Sequence, residues 1–217
     1  MNELGMFAKF WEPGKVKTRL AESIGPNKSS LVYKSFIECL LSRFGRAADR
    51  CSLVVWPRER QNEFEGLAES DGWLVEEQSQ GDLGSRMAAY FENALARSNK
   101  VVLIGSDSPN LPASAICAAF DQLESKRVVL GPSEDGGYYL IGMTSNIDIF
   151  SDIQWSTSLV LQQTIGILNR LSVEYSLLPE WYDIDHDSDL ARLKREIDNH
   201  SEQQLMVLGE KLRMLSL

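Results

Sequence analysis

Histidine and cysteine are scarce in this 217-residue chain, which has two histidines and three cysteines. The cysteines Cys39, Cys51 and Cys117 are scattered and odd in number, so they fit neither a disulfide framework nor the paired spacing of a zinc site. A reducing cytoplasm is therefore the predicted compartment. The two histidines, His186 and His200, lack the partners that a catalytic triad needs. His186 is predicted to be a helix cap or a surface residue.

Long apolar runs and positive net charge are missing as well. No stretch approaches the roughly 20 apolar residues of a membrane span, and the N-terminus has no signal-peptide pattern. With 22 basic and 31 acidic residues the formal charge is −9. This charge argues against nonspecific nucleic-acid binding, because like charges repel. A local basic patch can still hold a small anionic substrate.

What the sequence does have is a regular alternation of strand and helix patterns. Nearly continuous apolar runs over 101–105 and 138–143 predict buried strands, and helical spacing predicts helices over 27–48 and 83–97. The alternation predicts an α/β layered fold with a mostly parallel sheet, as one domain over residues 1–217. Ligands of such sheets bind beyond the carboxyl ends of the strands, and several predicted strands here run directly into charged loops.

The first of these loops is basic. Residues 9–19 contain Lys9, Lys15, Lys17 and Arg19, with a turn at Gly14 where the backbone can approach a ligand closely. Arginine suits bidentate phosphate contact, and lysine acts as a point charge. The loop therefore predicts a phosphate site. The alternative is a solvated basic loop with no ligand.

Two further loops carry carboxylates. Asp107 follows the apolar run that ends at Gly105, while Asp183 and Asp185 lie on the same side of an extended segment because side chains alternate. Together they predict a site for a hard divalent cation, Mg²⁺ or Mn²⁺. Ser106 or Ser108 is a candidate contact for ribose or phosphate. The alternatives are that Asp107 or Ser108 caps a helix whose first turn holds the proline at 109, and that the later pair is an acidic helix start.

Two glycine-containing segments complete the pattern. In residues 131–138, Gly136 and Gly137 permit positive φ and close backbone approach. Glu134 or Asp135 is a candidate contact for sugar hydroxyls or the acceptor, and Asp135 is also a candidate base; the alternative is an ordinary hairpin turn. In residues 81–87, Asp82 is the predicted cap of a helix whose N-terminus favours anions, and Arg86 is a candidate contact for a base or phosphate. The alternative there is a capped helix with no ligand.

The order of these segments resembles a known family. The motifs are Ala-Lys-x4-Gly-x-Val-Lys-Thr-Arg-Leu, Gly-Asp-Leu-Gly-x-Arg-Met, Gly-Ser-Asp-Ser-Pro, Gly-Pro-x2-Asp-Gly-Gly-Tyr-Tyr-Leu-Ile-Gly, Trp-Ser-Thr and Asp-Ile-Asp. They resemble the DUF2064 family of bacterial transferases, which is similar to nucleotide-diphospho-sugar transferases and more distantly to 2-phospho-L-lactate guanylyltransferase. The resemblance extends from about residue 7 to residue 189.

The resemblance implies a Rossmann-like, three-layer α/β/α fold of the GT-A type. It implies that Lys17 and Arg19 meet phosphates, and that Asp107, Asp183 and Asp185 match carboxylates that hold magnesium in the guanylyltransferase relatives. The chain departs from the family at Trp11, Ser85 and His186, where a proline, a glutamate and a threonine are usual. None of these changes removes a carboxylate or a loop cation.

Two functions from different classes follow. The first is a metal-dependent transferase that uses a nucleotide-sugar or a nucleoside triphosphate, with glycosyl or nucleotidyl transfer to a small acceptor left open. Lys17, Arg19 and Asp135 are its predicted catalytic residues, and its predicted nucleotide contacts are Lys9, Gly14, Lys17, Arg19, Arg86, Ser106, Gly136 and Gly137. The second is a nucleotide-binding module without turnover that serves a partner protein.

Overall fold

The computed structural model describes residues 1–68 and 71–217, and its central feature is a seven-stranded sheet with helices on both faces. The strands are β1 (Asn2–Lys9), β2 (Arg50–Trp56), β3 (Leu74–Glu77), β4 (Lys100–Ile104), β5 (Val128–Pro132), β6 (Tyr138–Met143) and β7 (Tyr175–Leu177). The helices are α1 (Thr18–Ile24), α2 (Pro26–Phe44), α3 (Gln61–Ala68), α4 (Leu83–Leu95), α5 (Ala113–Gln122), α6 (Val160–Arg170), α7 (Asp187–Asp198) and α8 (Gln203–Met214).

The strand order is β3-β2-β1-β4-β6-β5-β7. Only β6 runs antiparallel to its neighbours, β4 and β5, and every other strand pair in the sheet is parallel. The predicted α/β fold with a mostly parallel sheet is therefore confirmed. The antiparallel β6 also explains the loop at 133–137, since it is the connection of a β5–β6 hairpin.

Alternating side chains place two apolar layers on the two faces of the sheet. From β1, Leu4 and Met6 point into a layer covered by α2, α5, α7 and α8, whereas Phe7 points into a layer covered by α4 and α6. In β4, Ile104 points into the first of these layers and Leu103 into the second. Because both faces are covered, the central strands are apolar throughout, as the sequence predicts.

Some helix boundaries differ from the sequence prediction. Helix α1 was not predicted. It begins at Thr18, inside the segment 9–19 that was predicted to be a basic loop. Helix α5 begins at Ala113 with Pro112 at its N-cap, so the alternative that Asp107 or Ser108 caps it is wrong. Helix α4 does have its predicted cap, because Asp82 accepts a 2.8 Å hydrogen bond from the Ser85 backbone. The C-terminal part of the chain forms two helices, α7 and α8.

Helix α7 begins at Asp187. Its N-cap is His186, in agreement with the prediction for that residue. Asp189 acts from inside the first turn, where its carboxylate accepts the His186 backbone N–H at 2.7 Å. Among the described helices none is long and apolar enough to cross a membrane.

A buried carboxylate connects several residues at the end of the sheet where β1 begins. Glu3 of β1 is fully buried and accepts hydrogen bonds from Arg97 at 2.6 and 3.0 Å, from Ser98 at 2.8 Å and from Tyr90 at 3.2 Å. Tyr90 can reach it because Gly5, two residues along the strand, leaves room where a Cβ would meet the tyrosine ring. A buried charge of this kind is tolerated only while its partners remain.

Replacing Arg97 with Met should therefore destabilise the protein by about 3 kcal/mol, because the buried Glu3 carboxylate would lose its main partner. Urea unfolding followed by circular dichroism measures this change. Arg213→Met is the matched control, since the Arg213–Asp198 pair is more than half exposed on both sides and should contribute less than about 1 kcal/mol. Equal midpoints for the two variants would contradict the assignment.

Candidate active site

A cleft of about 980 Å³ opens at the carboxyl ends of β1, β2 and β4. The chain runs from β1 outwards to β2 and β3, then returns to place β4 on the other side of β1. Such a reversal separates the loops that follow β1 and β4, and it is where open α/β sheets bind ligands. The cleft is lined by residues from the predicted segments, including Lys9, Lys17, Arg19, Arg86, Ser106, Asp107, Asp135, Gly137, Asp183 and Asp185.

Lys17 is at the centre of the charged half of the cleft. It lies in the left-handed region at φ 46° and precedes α1, and only 3% of its side chain is exposed. Its ammonium group contacts Asp107 at 2.5 Å and Asp185 at 3.1 Å. Burial lowers the pKa of Lys17, but the two carboxylates outweigh this effect and hold the pKa above its ordinary value. The lysine is thus a fixed positive charge.

Asp185 is shared between two cations. One carboxylate oxygen accepts from Lys17 and the other from Arg19, each at 3.1 Å. Burial raises the pKa of Asp185, yet the two cations lower it by more, so the net shift is downwards. Both oxygens are therefore engaged with positively charged groups. Arg19 itself is 61% exposed and remains accessible from the cleft.

Asp107 and Ser106 are held by backbone and hydroxyl contacts. The Ile184 backbone N–H donates to the Asp107 carbonyl at 3.0 Å, which joins the loop after β4 to the segment 183–185. Ser106 is buried and shares a 2.7 Å hydrogen bond with the Tyr33 hydroxyl. Burial and the charge of Asp107 raise the pKa of Tyr33 to about 12, so the hydroxyl stays protonated. Tyr33 also accepts the Lys9 backbone N–H at 3.1 Å.

Asp183 is the deepest carboxylate of the cluster. Its two oxygens accept from the hydroxyls of Ser108 at 2.6 Å and Ser133 at 2.9 Å. Burial and the negative charge of Asp107 nevertheless raise the pKa of Asp183 to about 6. The negative charges of Asp107 and Asp183 therefore repel each other, and a cation placed between them would relieve that repulsion.

The remaining predicted residues divide into two groups. Asp135 and Gly137 line the cleft, and the Asp135 carboxylate accepts the Gly137 backbone N–H at 2.9 Å. Gly14 and Gly136 have positive φ, 78° and 90°, but they do not line the cleft. For Gly136 the reason is packing, since a Cβ there would overlap the Ser158 backbone.

Several residues that shape the cleft were not predicted. Tyr33 comes from the middle of α2, Gln78 follows β3, and Trp56 ends β2. Ser133 reaches Asp183 from the β5–β6 loop. None has a local sequence signal, because each is distant along the chain from the residue that it contacts. Trp155 belongs to the Trp-Ser-Thr motif, whose role the sequence did not indicate.

The donor atoms of the cluster are the kind that Mg²⁺ and Mn²⁺ prefer, namely carboxylate oxygens. In residues 1–68 and 71–217, however, no three acidic, histidine or cysteine side chains are arranged as a metal site. Asp107 and Asp183 fit a divalent cation, since the negative charge of Asp107 helps to raise the pKa of Asp183. Asp185 fits less directly, because Lys17 and Arg19 already contact both of its oxygens. The three-carboxylate site stays a prediction.

Comparison with known proteins points to a family. Residues 42–157 match the family model described as "Uncharacterized protein conserved in bacteria (DUF2064)". A crystal structure of a proposed nucleotide-diphospho-sugar transferase from Desulfovibrio desulfuricans G20 is 31% identical, with a TM-score of 0.88 over 99% of this chain and 97% of that chain. No curated protein matches the sequence.

More distant structures share the fold. The inositol-1-phosphate CTP transferase from T. maritima is 16% identical, with a TM-score of 0.57 over 98% of this chain and 96% of that one. Rv0371c from Mycobacterium tuberculosis H37Rv, in complex with manganese, is 12% identical, with a TM-score of 0.52 over 88% of this chain and 97% of that one. The predicted nucleotide-diphospho-sugar transferase fold is therefore confirmed.

The raised pKa of Asp183 gives a prediction for stability against pH. A carboxyl whose pKa is higher in the folded state than its ordinary 3.8 is favoured when protonated, so its contribution to stability is lost as pH rises from about 4 through 6. In chelator-treated protein at pH 7, Asp183→Asn should therefore raise the free energy of unfolding by up to about 3 kcal/mol.

The gain should disappear near pH 4, where both proteins are neutral at this position. Thermal unfolding at the two pH values measures the difference. Asp198→Asn, at an exposed position, is the control and should change the melting temperature little at either pH. A variant at Asp183 that is no more stable than the parent at pH 7 would contradict the burial argument.

Proposed function

Because the chain belongs to the DUF2064 family and shares 31% of its sequence with a proposed nucleotide-diphospho-sugar transferase, we propose that it is a transferase with a nucleotide donor. The prediction of a transferase agrees with the solved structures that the chain resembles. The donor is a nucleotide-sugar or a nucleoside triphosphate, and the acceptor is a small molecule. The observation that carries the proposal is the Lys17–Asp107–Asp185 cluster in the cleft beyond β1 and β4.

In this proposal Lys17 and Arg19 bind the donor phosphates. Both cations are already in place before the ligand arrives, because carboxylates hold them. Preorganised charges of this type favour the transition state, since they need no rearrangement as negative charge moves onto the leaving group. Ser106 and the Lys9 ammonium group, which donates to the Lys15 carbonyl at 2.9 Å, lie nearby and support the loop.

Asp107 and Asp183 would hold Mg²⁺ or Mn²⁺, with Asp185 as the third carboxylate. When bound, the ion would offset phosphate charge as the leaving group departs. Ser108 and Ser133 orient Asp183 by donating to its two oxygens. Asp185 positions Lys17 and Arg19 relative to this pair. The carboxylates therefore divide between cation binding and the orientation of the basic residues.

Glycosyl and nucleotidyl transfer make different demands on Asp135. In a glycosyl transfer its carboxylate would contact a sugar hydroxyl or act as base. In a nucleotidyl transfer the acceptor phosphate would approach Lys17 and Arg19 instead. Asp135 lines the cleft on the β5–β6 side, where the Gly137 backbone holds its carboxylate.

The second candidate is a nucleotide-binding module without turnover. A module that has lost catalysis has no need to keep charges that oppose folding. Here Asp183 keeps a buried carboxylate next to Asp107, and all three predicted ligands remain. This arrangement favours the enzyme.

A thermal-shift panel of nucleoside triphosphates and nucleotide-sugars, with and without Mn²⁺, tests the proposal. At about 100 times its dissociation constant a ligand stabilises the folded state by about 2.7 kcal/mol. We expect a metal-dependent shift for at least one donor. Asp107→Asn should abolish the dependence on Mn²⁺ and the turnover of that donor while the protein stays folded.

Asp121→Asn on the exposed side of α5 is the matched control and should keep both properties. A parent protein that is folded yet unaffected by every nucleotide would overturn the proposal. A parent that binds a donor tightly, with no turnover for any acceptor, would favour the binding module.

A further inference from the structure

Arg86 of α4 is a cation of the cleft that is not paired with an acid. Within the described part of the chain, none of its nitrogens lies within ion-pair distance of a carboxylate. Its guanidinium group lies 4.2 Å from the centre of the Trp56 ring, and its Nε donates to the Gly81 carbonyl at 2.9 Å. The stacking and the backbone contact fix the plane of the group. Each terminal nitrogen carries two N–H groups, and Nη1 uses only one of them in a 3.4 Å hydrogen bond to the Gln78 side-chain oxygen.

Gln78 lies next to Arg86, and its hydrogen bonds determine which end of its amide group faces the arginine. Its amide nitrogen donates to the carbonyls of Val54 at 3.0 Å and Ala8 at 3.3 Å, across the ends of β2 and β1. Because the amide oxygen has no hydrogen to donate to these carbonyls, the flipped orientation of the side chain is excluded. Its oxygen therefore faces Arg86, 3.4 Å from Nη1. Together, Gln78 and Arg86 present one acceptor, the Gln78 oxygen, beside two donors, the terminal nitrogens of Arg86.

This pair lies at a suitable distance from the proposed phosphate site. Trp56 ends β2, whereas Asp107 follows β4, and only β1 separates these strands. Two strand spacings amount to about 10 Å. The base of a nucleotide whose phosphates contact Lys17 would therefore be on the side of the cleft where Arg86 and Gln78 lie. The inference drawn from this placement rests on the proposed function.

We propose that Arg86 and Gln78 determine the base specificity of the donor and that they select cytosine. The Watson–Crick edge of cytosine presents two acceptors, O2 and N3, followed by an amino donor at N4. The two guanidinium nitrogens of Arg86 complement the acceptors, and the Gln78 oxygen accepts from N4. The protein thus offers the same acceptor–donor–donor row that guanine offers to cytosine in a base pair.

Other bases match this row less well. Uracil would place N3–H against an arginine donor and O4 against the Gln78 oxygen. Adenine provides one acceptor and one donor but no third group. Guanine can offer O6 and N7 to Arg86 on its Hoogsteen edge, where no donor faces Gln78. The expected order of affinity is cytidine first, guanosine second, and uridine and adenosine last.

Isothermal titration of the full-length protein with CTP, GTP, UTP and ATP in the presence of Mn²⁺ tests this order. A bidentate contact between arginine and a base typically accounts for a preference of about tenfold or more. CTP should therefore bind at least about tenfold more tightly than UTP and ATP. GTP or ATP binding more tightly than CTP would overturn the inference.

Two variants at Arg86 test whether this residue selects the base or only contributes positive charge. Arg86→Lys keeps the positive charge but lacks the planar fork, so it should weaken CTP about tenfold and leave UTP and ATP nearly unchanged. Arg86→Met should do the same, and circular dichroism checks that both are folded. Arg170→Met, on an exposed position of α6 outside the cleft, should keep the parental order.

The outcomes distinguish this inference from the proposed function. If no triphosphate or nucleotide-sugar binds to folded protein with Mn²⁺, the proposed function fails. If triphosphates bind with equal affinity, or if Arg86→Met weakens all four equally, nucleotide binding stands and only the base assignment fails.

Discussion

The contact on which the site depends is the buried ammonium of Lys17 between Asp107 and Asp185. The lysine follows β1, one carboxylate follows β4, and the other lies beyond β7, so a single positive charge joins three loops that the sheet brings to one edge. In water these ion pairs would contribute little. Here the lysine is almost fully buried, and losing both partners would leave an unpaired charge inside the protein, which is strongly destabilising. The charged loops are therefore interdependent.

Stability and function make opposite demands at this edge. At the far end of the sheet, Glu3 has a full set of donors, and its charge is compensated. Asp183 is also hydrogen-bonded, but its neighbour Asp107 carries the same charge, which raises its pKa. A sequence selected for stability alone would not retain two close carboxylates in a cleft. The contrast between the two buried acids supports the proposal that the edge beyond β4 binds a cation.

The cleft has two chemically different parts. Near Lys17 and Arg19 the charges are paired, so a phosphate would have to share these cations with carboxylates. Near Trp56, no carboxylate of residues 1–68 and 71–217 lies within ion-pair distance of the Arg86 guanidinium, and Gln78 supplies an acceptor next to it. Paired charge suits a strongly anionic group that brings its own metal ion, whereas a fixed hydrogen-bonding row suits a neutral, planar base. A nucleotide combines both kinds of group.

Strand and helix periodicity determined most of the architecture, since the alternation of elements along the chain predicts a mostly parallel sheet whatever the details of packing. The sequence also indicated which segments hold Lys17, Arg19, Asp107, Asp183 and Asp185 near one edge, because connections that follow parallel strands lie at the same edge of the sheet. Only the tertiary structure decided which charges meet. It placed Lys17 between two carboxylates, engaged both oxygens of Asp185, and directed Gly136 towards Ser158 instead of the cleft. It also brought in Tyr33, Gln78 and Ser133, which have no local signal, because their contacts join segments that are far apart in sequence and are set by packing across the sheet.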